Sequence, residues 1–221
     1  PFVSYRSGSS ISFLDGMRNS VLYRERYDGL SDHVAAGLKA EQALAGYPAE
    51  ELLDCDTFRA VDGILIKWIT ERLLAEDPGA RLNGLAIPEI CEKRIKMHFG
   101  GESKPVFLLL KNAHTLISAA GYTCPDGLRE IVKQYQETGC RLDQAYRKFY
   151  LYYDRIEDSE CFEPLRELVE NIYTNEYLAE QLPKWNEALV EPDSLELLPL
   201  QRNFYARNLK NSDVRTVVVI S

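Results

Sequence analysis

Residues 105–120 read PVFLLLKNAHTLISAA, and they predict the central helix of the protein. Apolar side chains recur three and four positions apart along this segment: Val106, Leu109, Leu110, Ala113, Leu116 and Ile117. A helix that is apolar nearly all round is normally enclosed by other helices. Gly121 then offers the residue type that commonly caps a helix C-terminus. We therefore expect this helix to lie at the centre of the core.

Helical periodicity continues on both sides of this segment, with short breaks rich in Gly, Pro and Asp. Pro183 is expected to kink or divide the helix that carries it, and Gly139 to end the helix before it. The predicted helical ranges are 11–26, 30–38, 58–73, 88–99, 128–135, 142–156, 165–173, 177–189 and 204–209. The sequence thus predicts a mainly α protein, a compact irregular helical bundle.

Residues 214–220 (VRTVVVI) break this pattern, because they are β-branched and almost continuously apolar. Such a run is typical of a strand buried on both faces of a parallel sheet, which needs neighbouring strands and a crossover helix. An edge strand or an apolar tail is the alternative. We expect one C-terminal β-strand that belongs to a truncated α/β domain, in a sequence that is a fragment of a longer protein.

The composition excludes several classes of protein. Hydrophobic residues make up 45% and charged residues 27%, which rules out a wholly disordered chain. The net charge of −8 excludes a uniformly basic, nucleic-acid-coating protein. No segment approaches the ~20 apolar residues of a membrane helix. The five cysteines form no C-x-x-C pair, which indicates reduced thiols and a cytoplasmic protein.

Catalytic motifs are missing from the sequence. There is no G-x-S-x-G, no phosphate-binding G-x-x-x-x-G-K-[ST] and no H-E-x-x-H. The histidines His33, His98 and His114 lie on separate predicted helices. We assign no catalytic, cofactor-binding or metal-ligating residue. A stand-alone helical enzyme whose site is assembled from scattered residues stays open as an alternative.

Two local biases suggest binding surfaces. A basic cluster runs from residue 93 to residue 111 and consists of Lys93, Arg94, Lys96, Lys104 and Lys111. Several converging cations of this kind can contact nucleic-acid phosphates, although a solvated helix face is the simpler interpretation. An aromatic segment, residues 146–154, could stack on a ligand, but aromatic residues at helical spacing usually pack the core.

Motifs in a fixed order resemble those of a known family. The principal ones are Asp143-x-x-Tyr146-Arg147-x-Phe149-Tyr150-x-x-Tyr153-Asp154, Ile172-Tyr173-x-Asn175-x-Tyr177-Leu178 with Trp185, and Gln201-x-x-Phe204-Tyr205 ahead of residues 215–221. Asp56-x-Phe58-x-x-Val61-Asp62 and Met17-Arg18-x-Ser20 also fit. Together they resemble the middle of PglZ-family proteins, which belong to bacterial phage-resistance systems of the phage growth limitation and bacteriophage exclusion (BREX) types.

This resemblance implies a domain organisation. Residues 1–210 would form a helical domain, with a candidate subdomain boundary near 46–54. Residues 211–221 would be a linker and the first strand of a missing domain that resembles alkaline phosphatases. In the family a metal-binding aspartate follows the serine that matches Ser221, so no metal ligand is carried over to this chain. A divalent, zinc-like metal is implied only for the missing domain.

The resemblance also implies a function. This chain would be a non-catalytic helical scaffold or interaction domain of a phage-defence protein, with a metal-dependent phosphoester hydrolase domain in the parent. Its partners would be other defence components, a methyltransferase and an ATPase. The alternative is a helical domain that contacts nucleic acid through the basic cluster.

Overall fold

The structure, a computed structural model, describes residues 24–77, 84–190 and 203–211, together with residues 213 and 216. These residues are mainly helical and contain no strand, which confirms the predicted mainly α class. The α-helices are α1 (Arg24–Leu38), α2 (Ala40–Leu44), α3 (Ala60–Leu73), α4 (Ile87–Ile95), α5 (Lys104–Ile117), α6 (Leu128–Gln134), α7 (Cys140–Tyr153), α8 (Glu163–Asn171) and α9 (Ala179–Val190). Short 3-10 helices occupy Ala49–Leu52 and Ser159–Phe162.

Helix α5 is the centre of the core, as its sequence predicts. No residue from 105 to 117 is exposed. Phe107, Leu109 and Leu110 are fully buried, and α5 packs against α7, α4, α3 and α8. Pro105 occupies the first turn, where its fixed φ suits a helix start and its missing N–H costs nothing. The helix ends at Ile117, before the turn in which Gly121 adopts a φ of 74°.

Helix α3 connects the central core to a second apolar cluster. Its first half packs with α2 and the Ala49–Leu52 helix through Val61 and Leu65. Its second half contributes Ile69 and Leu73 to the central core. The subdomain boundary near 46–54 stays a prediction.

The described residues contain three π-helical segments, one of which, Tyr205–Leu209, lies where a helix was predicted at 204–209. The other two correct the predicted helix boundaries. Tyr135–Gly139 joins α6 to α7, and Ile172–Leu178 joins α8 to α9. The chain is therefore helical from 128 to 153 and from 163 to 190, where the sequence predicted breaks near Gly139 and between 173 and 177. A π turn inserts a residue without ending the helix, so it shifts the faces of the flanking α-helices. Helix α9 likewise continues past Pro183.

The predicted strand at 214–220 lies outside the described residues, apart from Thr216. The linker and strand assigned to 211–221 therefore stay predictions. The predicted helix at 11–26 also lies outside them, apart from the start of α1. Among the described helices, none combines the length and apolar character needed to cross a membrane.

Candidate functional site

Arg94, the arginine of the basic cluster predicted between residues 93 and 111, is buried in the protein interior. Arg94 is 1% exposed, and its Nε donates a 2.8 Å hydrogen bond to Oδ1 of Asp62. Its Nη1 donates to the carbonyl of Cys55 at 2.6 Å. A guanidinium held in this way connects α4 to α3 and is not accessible to a phosphate. Arg94 is thus a structural residue, contrary to its assignment as a nucleic-acid contact.

The four lysines of the cluster remain at the surface, but two of them face carboxylates. Lys93 pairs with Asp54, and Lys111 pairs with Glu92. Lys96 and Lys104 are exposed. The nucleic-acid hypothesis stays a prediction that rests on these four lysines.

The described residues offer no ligand set for the divalent metal that the resemblance implies elsewhere. Nowhere in 24–77, 84–190 and 203–211 do three or more His, Cys, Asp or Glu side chains converge in a metal-binding arrangement. His98 lies 2.6 Å from Oδ1 of Asp28, and its ring contacts the rings of Tyr27 and Phe99. Burial lowers the pKa of His114. Within the described part of the chain, neither His98 nor His114 therefore belongs to a metal-binding group of side chains.

A cavity of about 300 Å³ lies where the two π-helical segments meet. We call it the tyrosine pocket. Its lining residues come from both long helical runs, and apolar and aromatic side chains predominate: Tyr135, Asp143, Tyr173, Tyr177, Leu178, Gln181, Leu182 and Trp185. Apolar pockets with a few convergent polar groups are the usual form of a binding site. The tyrosine pocket is therefore the candidate functional site.

Asp143 supplies the charge in the pocket. Its carboxylate accepts hydrogen bonds from the hydroxyls of Tyr135 (2.7 Å) and Tyr173 (3.0 Å). The guanidinium of Arg147 is directed at the backbone carbonyl of Asp143, at 3.3 Å, and forms no ion pair with the carboxylate. In the part of the chain that the structure describes, no cationic side chain lies within ion-pair distance of Asp143.

The pocket tyrosines stay protonated at neutral pH. Burial, helped by the nearby Asp143 charge, raises the pKa of Tyr173 to about 12. The hydrogen bond to Asp143 raises the pKa of Tyr135, and burial raises that of Tyr177. Phenols in this state donate hydrogen bonds and present ring surfaces, and they do not act as bases or nucleophiles. The arrangement is suited to binding rather than to proton transfer.

A second layer of aromatic residues holds the pocket in place. Tyr146 stacks on Tyr173 with ring centroids 3.8 Å apart, and its hydroxyl donates to Glu170 at 2.9 Å. Glu170 also accepts from the hydroxyl of Tyr150. Phe149 is fully buried in the core. The aromatic segment 146–154 thus packs the core, as expected, and Tyr146 additionally supports the pocket from behind.

Gly139 brings the two π-helical segments close together. A Cβ atom at this position would lie 2.7 Å from Cδ2 of Tyr135 and 2.7 Å from the hydroxyl of Tyr177. Its φ of −58° is ordinary for a helix. The glycine is therefore needed for space rather than for backbone freedom.

Sequence reasoning did not find this pocket, although a signal existed. Tyr173, Tyr177 and Trp185 recur at spacings of four and eight, which places them on one side of a helix. Asp143, Tyr173, Tyr177 and Trp185 also belong to the motifs that carry the family resemblance. The sequence did not indicate that two π-helical segments bring these motifs together.

Comparisons with known proteins confirm the resemblance to the PglZ family. The chain is 28% identical over 233 residues to the alkaline phosphatase-like protein PglZ of Bacillus cereus (strain H3081.97), in an alignment that covers 100% of this chain. It is 25% identical over 232 residues to the alkaline phosphatase-like protein BrxZ of Escherichia coli O9:H4 (strain HS), over 96% of this chain.

The chain spans only about a quarter of each relative, 27% of the first and 26% of the second. No family model and no solved structure matches the chain.

Proposed function

We propose that this chain is a non-catalytic helical scaffold or interaction domain of a PglZ-like phage-defence protein. The observation that carries the proposal is the alignment along the whole chain to two alkaline phosphatase-like proteins about four times its length. A helical part of that size would position a hydrolase domain or recruit other defence components. The nearly all-helical core around α5 is consistent with a rigid support.

The chemistry of the described residues supports a binding role. Their largely apolar candidate site contains protonated tyrosines and one carboxylate, without the nucleophile and base pairing of a hydrolase. We propose that phosphoester hydrolysis, and the divalent metal that it needs, belong to an alkaline-phosphatase-like domain of the whole protein. The proposed setting is the bacterial cytoplasm, with a methyltransferase and an ATPase of the same defence system as partners.

Two assays of the same purified chain test the two halves of this proposal. The purified chain is assayed with p-nitrophenyl phosphate and bis-p-nitrophenyl phosphate in the presence of zinc, magnesium or manganese, with an authentic alkaline phosphatase as positive control. The same tagged chain is then tested for co-purification with the methyltransferase and the ATPase encoded beside it. We expect no turnover and retention of at least one partner.

Two results would reject the proposal. Turnover that survives repurification and scales with the concentration of the chain would show that the domain is catalytic. Failure of the chain to retain either partner, when the whole protein retains one, would show that another part of the protein makes the contact.

A further inference from the structure

We propose that the tyrosine pocket binds an organic cation, an alkylammonium group, between its aromatic rings and the carboxylate of Asp143. This inference rests on the geometry of the pocket and does not depend on the scaffold function proposed above. It assigns a class of ligand to the tyrosine pocket, which is lined by residues of the sequence motifs at 143–154 and 172–178.

The aromatic lining is the first reason. Tyr135, Tyr173, Tyr177 and Trp185 all border the cavity. The rings of Tyr173 and Tyr177 are tilted by 36° with centroids 5.6 Å apart, so they are not stacked face to face. Cations are attracted to the faces of such rings, most strongly to Trp, and ammonium groups are commonly recognised by several aromatic side chains.

The charge of Asp143 is the second reason. The carboxylate borders the cavity, is only partly exposed, and forms no ion pair with any of the described residues. Its two oxygens each accept one tyrosine hydroxyl, which fixes its orientation and leaves its charge in place. A carboxylate has further lone pairs for an ammonium donor. A bound cation would therefore supply the missing counter-charge.

The same features exclude an anion. The hydroxyls of Tyr135 and Tyr173 are already donated to Asp143, so they are not available to a phosphate or a carboxylate. No Lys, Arg or His residue borders the cavity. An anion there would face the charge of Asp143, and no cationic side chain in the lining would offset that repulsion.

The size of the cavity limits the ligand to a small group. Its volume of about 300 Å³ lies at the lower end of ordinary ligand pockets. The end of a lysine side chain, a methylated ammonium group or a linear diamine is of suitable size. Leu182, which is 52% exposed, borders the pocket and offers an apolar surface to the alkyl part of such a group.

Binding is measured on the full chain by titration calorimetry and by fluorine NMR after labelling with 5-fluorotryptophan. The chain contains two tryptophans. Trp185 borders the pocket, whereas Trp68 packs against the core, so Trp68 is an internal control. The probes are choline and its neutral isostere 3,3-dimethylbutan-1-ol. We expect millimolar or tighter choline binding that moves the Trp185 resonance alone, with the neutral alcohol at least tenfold weaker.

Matched variants test the role of Asp143. Asp143→Asn keeps the shape of the side chain and removes the charge, and one of the two tyrosine hydroxyls must then accept from the amide nitrogen rather than donate. It should weaken choline binding at least tenfold. Asp154→Asn removes the same charge from an exposed position directly after α7 and should bind choline like the parent. Thermal unfolding of each variant confirms that it is folded, and Tyr173→Phe, which retains the ring, provides a milder second variant with a smaller loss.

Two further probes identify the source of the cation. An amide-capped lysine stands for a side chain of a partner protein, and putrescine stands for a free diamine. Tighter binding of either supports the proposal and assigns the source. Equal binding of choline and its neutral isostere, no binding of any cation at 10 mM, or equal loss in the Asp143→Asn and Asp154→Asn variants would overturn it. None of these outcomes depends on the hydrolase or co-purification assays.

Discussion

The guanidinium of Arg94 and the carboxylate of Asp62 form an ion pair that is closed off from solvent. The side chains are 1% and 2% exposed, and Nε and Nη2 of Arg94 lie 2.8 Å and 2.5 Å from the same oxygen of Asp62. Because Asp62 lies on α3 and Arg94 on α4, the pair joins two helices that pack around α5.

Replacing Arg94 with methionine should destabilise the protein strongly at neutral pH. The change leaves the Asp62 charge buried without its partner, which costs about 3–5 kcal/mol in comparable cases. The double variant Asp62→Asn with Arg94→Met should be more stable than Arg94→Met alone. Urea unfolding at pH 7 measures both. A loss below about 1 kcal/mol for Arg94→Met would show that the pair is not buried in solution.

The effect of Arg94→Met should also depend on pH. Burial raises the pKa of Asp62 above its ordinary value of 3.8, and Arg94 opposes that rise. Because the pKa of Asp62 is higher in the folded than in the unfolded state, its contribution to the free energy of unfolding is complete at low pH. That contribution is lost as pH rises through the folded-state pKa. In the Arg94→Met variant the pKa of Asp62 rises further. The free energy of unfolding of this variant should therefore differ less from that of the parent at pH 4 than at pH 7. The double variant should show no such change.

Glu163 should make the stability of the protein fall in acid. Hydrogen bonds from Arg166 and from the hydroxyl of Tyr153 lower the pKa of Glu163 to about 2. A lowered pKa contributes stability above the unfolded-state value of 4.5, and that stability is lost as pH falls through about 2. Glu163→Gln should flatten the stability profile between pH 5 and about pH 2. Glu167→Gln, an exposed change on the same helix, should leave the profile as it is, and equal flattening by both variants would contradict the assignment.

Adding one methyl group should have opposite effects at two helical glycines. At Gly139 a new Cβ collides with the ring of Tyr135 and the hydroxyl of Tyr177, and overpacking of this kind costs about 1–3 kcal/mol. At Gly63, within α3, nothing lies within 4 Å, so alanine should add about 0.5–1 kcal/mol through helix propensity. Chemical denaturation compares Gly139→Ala with Gly63→Ala. A stable Gly139→Ala variant would mean that the two π-helical segments do not meet as described.

Any DNA binding by the lysines of the basic cluster should be weak and only mildly dependent on salt. Arg94 is buried, and Lys93 and Lys111 are paired with carboxylates, which leaves Lys96 and Lys104 as the best candidates for phosphate contact. Two contacts predict a slope of log K against log salt of about −2. Fluorescence anisotropy with duplex DNA measures it. A slope near −4 that Lys96→Glu with Lys104→Glu removes would contradict this expectation and support the nucleic-acid hypothesis.

The sequence by itself determined the helical class and the central position of α5. Apolar residues from Val106 to Ile117 lie on most sides of that helix, so other helices must cover most of its surface. It also determined the family resemblance, because ordered motifs can be recognised without geometry. The first turns of α4 and α5 were equally readable from Pro88 and Pro105, since the proline ring fixes φ locally.

Only the tertiary structure determined the burial of Arg94 and the existence of the tyrosine pocket. Arg94 stands in sequence among exposed lysines, and its burial depends on Asp62, which lies 32 positions away on another helix. Tyr135, Asp143 and Tyr173 come together because each of two helices contains a π turn, and such a turn shifts the face of everything that follows it. Local periodicity assumes 3.6 residues per turn throughout, so it places residues on a helix face correctly only up to the point where that period changes.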